Sequence, residues 1–127
     1  RVMPRELAAS GHDLTLSQYI TLKKLHYGTA SASELAQAAE LNPGAMTRLL
    51  DRLESAGLVQ RAAHPSDRRA LCIVLTARGK AIWPELEACA DRVRERALAE
   101  LDDKQRTELV RMLEQVHANL SGNEHQP

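Results

Sequence analysis

The amino-acid sequence predicts a mainly α-helical fold that carries one small β-hairpin. Apolar residues recur at helical spacing through most of the 127 residues, a length that suits one domain with a single core. The exception is residues 71–75, where Leu71, Ile73 and Leu75 occupy alternate positions, as in a strand that buries one face. Two tyrosines, one tryptophan and no phenylalanine leave the core to Leu, Ala, Val and Ile, which favours packed helices.

Several helix starts are marked in the sequence. A capping box, in which an N-cap residue is followed three positions later by Glu or Gln, fits three pairs: Thr15 with Gln18, Ser31 with Glu34, and Asp102 with Gln105. Asn42 before Pro43 is a further N-cap, and helices should end near Gly11, Gly28 and Gly57. The predicted helices span residues 2–10, 15–27, 32–39, 43–56, 77–100 and 103–119.

The helices at 32–39 and 43–56 are joined by three or four residues, which is typical of a helix-turn-helix. The second helix is amphipathic, with an apolar stripe formed by Met46, Leu49, Leu50 and Leu53. Gly44 and Ala45 leave its first turn without bulk, so that its backbone can approach another surface. The opposite face carries Thr47, Arg48, Asp51, Arg52 and Ser55.

The last third of the chain predicts helices that pack against a partner. Apolar residues there recur at alternating intervals of three and four, as helices that pack lengthwise require. We expect Pro84 to bend the first of these helices or to delay its regular start. The two predicted stripes are Ile82, Leu86, Ala90, Val93, Ala97 and Leu101, and then Leu109, Leu113, Val116 and Leu120.

The formal net charge is zero, but the charges are segregated. Residues 1–41 are balanced, residues 42–80 hold seven basic against three acidic side chains, and residues 81–127 hold six against ten. A neutral protein with this distribution can present a locally positive face to nucleic acid.

Three stretches together resemble the MarR family of winged-helix transcription regulators: LTLSQYITLKKL, SASELAQAAELNPGAMTRLLDRLESAGLVQR and HPSDRRALCIVLTARGK. The resemblance implies a winged helix-turn-helix lobe at about 14–80, with dimerisation helices at about 1–13 and 81–120 in a single domain of residues 1–127. The first dimerisation helix is short for the family, and Arg-Val-Met-Pro is not a natural start, so we expect residues upstream. We expect no secretory signal or membrane span, and a cytoplasmic protein.

The resemblance also implies a homodimeric repressor or activator that binds double-stranded DNA. We expect a ligand-responsive repressor that binds a pseudo-palindromic operator. In similar proteins the helix matching 43–56 enters the major groove, and the wing matching 60–76 lies along the minor groove. In those proteins the residue aligned with Arg69 reaches into the minor groove, and the residue aligned with Asp67 holds that side chain in place. A narrow minor groove favours such an inserted guanidinium because it concentrates negative potential.

The residues themselves favour the same contacts. Arg48 and Thr47 are candidates for base edges, with Arg52 beside them. Helix N-termini favour phosphates, which makes Ser31, Ser33, Pro43 and Gly44 candidate backbone contacts. The hairpin tip adds His64, Ser66, Asp67, Arg68 and Arg69. The competing interpretation is that Arg48 and Arg52 are ordinary surface arginines paired with Asp51 or Glu54, and that Arg68 and Arg69 form a solvated turn.

A small aromatic or phenolic effector is implied by the family, where the dimerisation helices meet the DNA-binding lobe. That junction involves His12, Tyr19, Lys23, Tyr27 and Trp83. The alternative for Tyr19 and Trp83 is that they fill the core.

Two other functions stay open at this point. A redox regulator would use Cys72 or Cys89, and a winged-helix protein-interaction module would have lost DNA binding. No catalytic motif, phosphate loop or metal-ligand spacing is present in the sequence, so we expect neither an enzyme nor a cofactor.

Overall fold

The computed structural model describes residues 14–64, 66 and 71–124, which contain five α-helices and a two-stranded antiparallel sheet. The predicted mainly α fold with a small hairpin is therefore confirmed. The predicted helix at 2–10 lies outside the described residues. In chain order the elements are α1 (Leu16–His26), α2 (Ala32–Ala39), α3 (Pro43–Ser55), β1 (Val59–Ala63), β2 (Leu71–Leu75), α4 (Ala77–Ala97) and α5 (Asp103–Glu124).

The predicted helix caps are present. At the start of α1 the Thr15 hydroxyl accepts from the Gln18 amide at 3.2 Å, and the Gln18 side chain accepts from the Thr15 amide at 2.9 Å. The same reciprocal pair occurs at Ser31 and Glu34 and at Asp102 and Gln105. Each pair satisfies two amides that a helix start leaves without partners.

The turn between α2 and α3 is three residues long and internally bonded. Glu40 adopts the left-handed conformation with φ of 56°, and the Leu41 amide donates to the Ala36 carbonyl at 2.9 Å. This pattern ends α2 abruptly. Asn42 then caps α3 by accepting from the Ala45 amide at 2.8 Å, with Pro43 at the first helical position. The predicted helix-turn-helix is present.

The described residues form two compact units, which divide between Val93 and Arg94. The core of the first unit buries the predicted apolar face of α3, which is Met46, Leu49, Leu50 and Leu53. Leu86 and Ala90 of the stripe on α4 also lie in this core. They pack within their own chain, and so the expectation that the whole stripe faces a partner is wrong for these two residues.

The hairpin pairs Val59 with Leu75 at its base and Ala63 with Leu71 at its far end. The predicted burial of β2 is partly wrong, because Leu71 is 67% exposed and Cys72 is 1% exposed. Leu71 lies at the far end of the hairpin from the core, where alternation no longer ensures burial. The Cys72 thiol lies 3.7 Å from the Ala63 carbonyl oxygen, to which it donates.

Helix α4 begins at Ala77 and contains Pro84 without an interruption, so the expected delay in its start does not occur. Proline cannot donate to the carbonyl of Lys80, yet the helix continues. It ends at Ala97 rather than at the predicted residue 100, because a turn follows in which Glu100 has φ of 72°.

In the second unit, Arg106 holds the turn before α5. Its guanidinium donates to the carbonyls of Leu98 and Leu101 at 3.2 and 3.0 Å and to Glu95 at 3.2 Å. Helix α5 continues past the predicted end at 119 to Glu124. Its stripe at Leu113, Val116 and Leu120 is exposed.

The base of the hairpin is joined to α4 by a close backbone contact. The Thr76 hydroxyl donates to the Gly57 carbonyl at 2.5 Å and accepts from the Gly79 amide at 3.0 Å. The Thr76 amide donates to the Leu58 carbonyl at 3.0 Å. A Cβ atom on Gly79 would lie 2.2 Å from the Leu58 carbonyl oxygen, so only glycine fits here.

We predict that Gly79→Ala lowers the free energy of unfolding by about 1–3 kcal/mol, because the added methyl group would overlap the Leu58 carbonyl and force the backbone to shift. Gly122→Ala is the matched control, since nothing lies within 4 Å of its Cβ position and alanine favours the helix. The measurement is urea unfolding followed by circular dichroism. Equal midpoints for Gly79→Ala and the wild type would contradict the prediction.

Candidate nucleic-acid interface

The outer face of α3 carries the residues that the sequence predicts for base contact. Thr47, Arg48 and Arg52 are exposed, whereas the opposite face is buried. The first turn exposes Pro43 and Gly44. This helix therefore presents a polar, basic side with little bulk at its N-terminus.

Two of these side chains lie against the first turn of the helix. The Thr47 hydroxyl donates to the Pro43 carbonyl at 2.9 Å. A Cβ on Gly44 would lie 3.6 Å from an Arg48 guanidinium nitrogen. The guanidinium therefore lies beside the bare first turn of the helix.

Two depressions flank α3. One, of about 250 Å³, lies between α2 and α3 and is lined by Ala32, Ser33, Ala36, Leu41, Pro43, Met46 and Thr47. The other, of about 210 Å³, is lined by Thr15, Gln18, Ala45, Arg48, Leu49 and Arg52. The predicted contact residues thus lie on both sides of the helix. Sequence reasoning missed Thr15 and Gln18 here, although their capping box marked the start of α1.

At the start of α2, Ser31 and Glu34 cap each other and Ser33 is exposed. The hydrogen bonds from the Ser31 backbone and side chain lower the pKa of the Glu34 carboxyl below its ordinary value. Ser31 is therefore primarily a cap. Its position at the helix start still places it beside the amides that favour an anion.

At the hairpin, the structure describes His64 and Ser66 but not Asp67, Arg68 or Arg69. The Ser66 amide donates to His64 Nδ1 at 3.1 Å, which forms a local turn after β1. His64 is half-buried and Ser66 is exposed. No group of three metal-binding side chains occurs among the residues described.

Arg61 on β1 binds two carboxylates of α3. Its guanidinium donates to Glu54 at 2.6 Å and to Asp51 at 3.1 Å, and these hydrogen bonds, Asp51 first, raise its pKa. The competing interpretation paired Arg48 and Arg52 with these carboxylates, and the structure gives both to Arg61 instead. Within the described ranges neither Arg48 nor Arg52 has an ion pair.

Three of the five predicted effector residues, Tyr19, Tyr27 and Trp83, belong to an aromatic cluster. Tyr19 and Trp83 are buried and stack with ring centroids 5.6 Å apart. His26, which the sequence did not single out, stacks on Trp83 at 5.0 Å, and Tyr27 meets His26 edge-on at 4.9 Å. Lys23 is exposed, and His12 lies outside the described residues. His26 is seven residues after Tyr19, which places both on one side of α1.

Three further groups of the first unit are buried. Cys72 and Cys89 are free thiols that are 1% and 0% exposed. The Trp83 indole nitrogen is buried and finds no acceptor in the part of the chain that the structure describes. A helix long and apolar enough for a membrane span is not found there either.

Known proteins resemble this chain in sequence and in fold. The MarR family profile matches residues 14–71. The HTH-type transcriptional repressor Rv2887 of Mycobacterium tuberculosis is 40% identical over 110 residues, which cover 86% of this chain and 79% of the relative. The structure of Rv2887 in complex with p-aminosalicylic acid matches with a TM-score of 0.71, 37% identity, and coverage of 91% of this chain and 87% of that chain.

Two further solved structures share the fold. The transcriptional regulator PA3341 matches with a TM-score of 0.82 and 34% identity, over 94% of this chain and 88% of that one. A mutant of MarR from E. coli, solved in complex with operator DNA, matches with a TM-score of 0.78 and 27% identity, over 91% and 83%. With a relative of 40% identity that spans most of both chains, this protein belongs to the MarR family of transcriptional regulators.

Proposed function

We propose that this protein is a homodimeric repressor that binds a pseudo-palindromic DNA duplex and releases it when a small aromatic ligand binds. The observation that carries the proposal is the outer face of α3, where Arg48 and Arg52 have no ion pair among the described residues. A guanidinium without a protein partner is available for a guanine edge or a phosphate.

In this proposal α3 lies in the major groove. Arg48 pairs with guanine, Thr47 touches a thymine methyl or accepts a hydrogen bond from a base, and Arg52 extends the basic side. The Gly44 amide, which follows Pro43 in the first turn of α3, approaches a phosphate, with Ser31 and Ser33 positioning the backbone. The MarR neighbour solved in complex with operator DNA supports DNA as the partner.

The hairpin lies along the minor groove. Arg69 is the inserted side chain and Asp67 steadies it, while Arg68, His64 and Ser66 lie nearer the phosphates. The net charge of +4 over residues 42–80 supports this role, whereas the acidic residues concentrate after residue 80. A protein-interaction module that had lost DNA binding would have no need of that basic segment.

The dimer forms through the terminal helices. In the second unit, Val110, Leu113, Val116 and Leu120 of α5 are each more than half exposed. They recur at intervals of three or four over about three turns, which leaves an apolar stripe that a second copy of the same helix would cover. Two reading helices in one twofold assembly fit half-sites about 34–36 Å apart.

The effector binds at the aromatic cluster. Trp83 offers a buried indole N–H that no described residue accepts, Lys23 offers an exposed cation, and Tyr19, Tyr27 and His12 complete the predicted set. An aromatic carboxylate matches both features, and the relative solved with p-aminosalicylic acid supports this class. Binding changes the separation of the two reading helices, a coupling that is usually worth about 1–3 kcal/mol. A redox response is disfavoured because both thiols are buried.

We predict that Arg48→Ala relaxes sequence preference by about 1–3 kcal/mol at one base position, because a bidentate contact is lost. Lys104→Ala removes the same charge from α5 and is the control. Selection of bound sequences from random DNA, followed by titration of single-base variants, measures the effect. A uniform loss of affinity over all sequences would instead make Arg48 a phosphate contact.

We predict that Leu113→Lys weakens dimerisation on the order of hundredfold, because the substitution places an unpaired charge in an apolar interface. Gln115→Lys, on an exposed side chain off the stripe, is the matched control. Sedimentation equilibrium of both variants gives the association constants. If Leu113→Lys dimerises like the wild type, α5 is not the interface.

We predict that Trp83→Phe weakens binding of p-aminosalicylic acid about tenfold, because an aromatic ring remains but the donor to a charged acceptor is lost. Calorimetry with the acid measures the affinity. DNA binding and the unfolding midpoint of the variant, measured without the acid, control for damage to the fold. Equal affinity for the acid in both proteins would place the ligand elsewhere.

A further inference from the structure

We propose that Arg61 is a positioning residue that fixes the hairpin against the reading helix, with Asp51 and Glu54 as its anchor. The inference rests on the proposed DNA-binding function and deepens it, because it assigns a role to three charged residues that contact no base in the proposal above. Asp51, Glu54 and Arg61 are named here the hairpin clamp.

The clamp connects two elements that must contact DNA together. Arg61 is the middle residue of β1, and its guanidinium reaches both carboxylates on the last two turns of α3. One planar guanidinium thus binds two side chains three residues apart on a helix, which fixes both the direction and the distance of the strand.

The second strand of the hairpin, β2, is also attached to a helix start, at the residue opposite Arg61. Arg61 pairs with Ile73 across the sheet, and Ile73 exchanges two backbone hydrogen bonds with Ala30, at 2.7 and 3.4 Å. Ala30 directly precedes the cap of α2. The middle of the hairpin is therefore attached to the α2 start on one edge and to α3 on the other.

The attachment at Arg61 matters because the hairpin extends well beyond it. The strand continues past Arg61 through Ala63 to His64 and Ser66, so that a small rotation at the clamp becomes a larger displacement further along. A hairpin in the minor groove and a helix in the major groove must match one duplex simultaneously. Fixing their angle before binding avoids the ordering cost at the moment of association.

The direction in which DNA affinity changes when the two carboxylates are removed tests this proposal. Asp51 and Glu54 are exposed carboxylates on the helix that faces the phosphates, and Coulomb repulsion alone predicts that removing them strengthens DNA binding. If they anchor the hairpin, removing them weakens binding although the protein becomes more positive. The two mechanisms therefore predict opposite changes for the same variant.

We predict that Asp51→Asn with Glu54→Gln lowers affinity about tenfold, a loss within the range seen for coupled residues, for the duplex that the wild type selects from random DNA. Glu87→Gln with Asp103→Asn removes the same charge from exposed positions on α4 and α5 and should leave binding unchanged or stronger. Hydroxyl-radical footprints should lose minor-groove protection while methylation protection in the major groove persists. Tighter binding by the Asp51 and Glu54 variant would overturn the proposal.

Two further measurements separate the clamp from other roles. If Arg61 is a positioning residue, Arg61→Ala has little added effect in the Asp51 and Glu54 variant. A direct phosphate contact would instead cost the same in both backgrounds and lower the salt slope by about one. Amide exchange of residues 59–63 in the free protein should rise in the clamp variants. If amide exchange rises in the clamp variants but the wild type binds no DNA, the proposed function is refuted and the hairpin clamp is not. If amide exchange in the clamp variants is unchanged, the hairpin clamp is refuted.

Discussion

The burial of one face of α3 is the constraint that sets the direction of its outer face, which carries Thr47, Arg48 and Arg52. Met46, Leu50 and Leu53 are at most 2% exposed, so the helix cannot rotate about its axis without bringing large apolar side chains into water, at about 1.5–3 kcal/mol each. With that face held, Thr47, Arg48 and Arg52 must point outward. The basic surface is thus set by the core rather than by the charged residues themselves.

The same principle extends to the hairpin and α4. Thr76 uses its hydroxyl both to cap α4 and to bind the Gly57 carbonyl, while Gly79 lets the backbone of Leu58 approach. The end of β2 and the start of α4 are therefore one junction without a flexible linker. The hairpin and α4 therefore begin from the same few atoms.

How much the sequence could predict depends on how local each interaction is. The capping boxes join residues three apart, and both their positions and their bonds were predictable from the chain. The Arg61 contacts span seven and ten residues and join a helix to a strand, so only the fold brings them together. Leu71 shows that a local pattern can also mislead. Alternation predicted that its side chain is buried, but Leu71 lies at the strand end beyond the core and is exposed.

Helix α1 joins the two candidate sites of the first unit. Its N-terminal cap, Thr15 and Gln18, lines the depression beside Arg48 and Arg52, while Tyr19 and His26 stack on Trp83. The helix has only 11 residues, about 16 Å at 1.5 Å per residue. Under the proposed function, a ligand that displaces Trp83 would also shift this short helix and, with it, the wall beside Arg48 and Arg52. The proposed regulation would need no long chain of contacts, because one short helix touches both the aromatic cluster and the basic face.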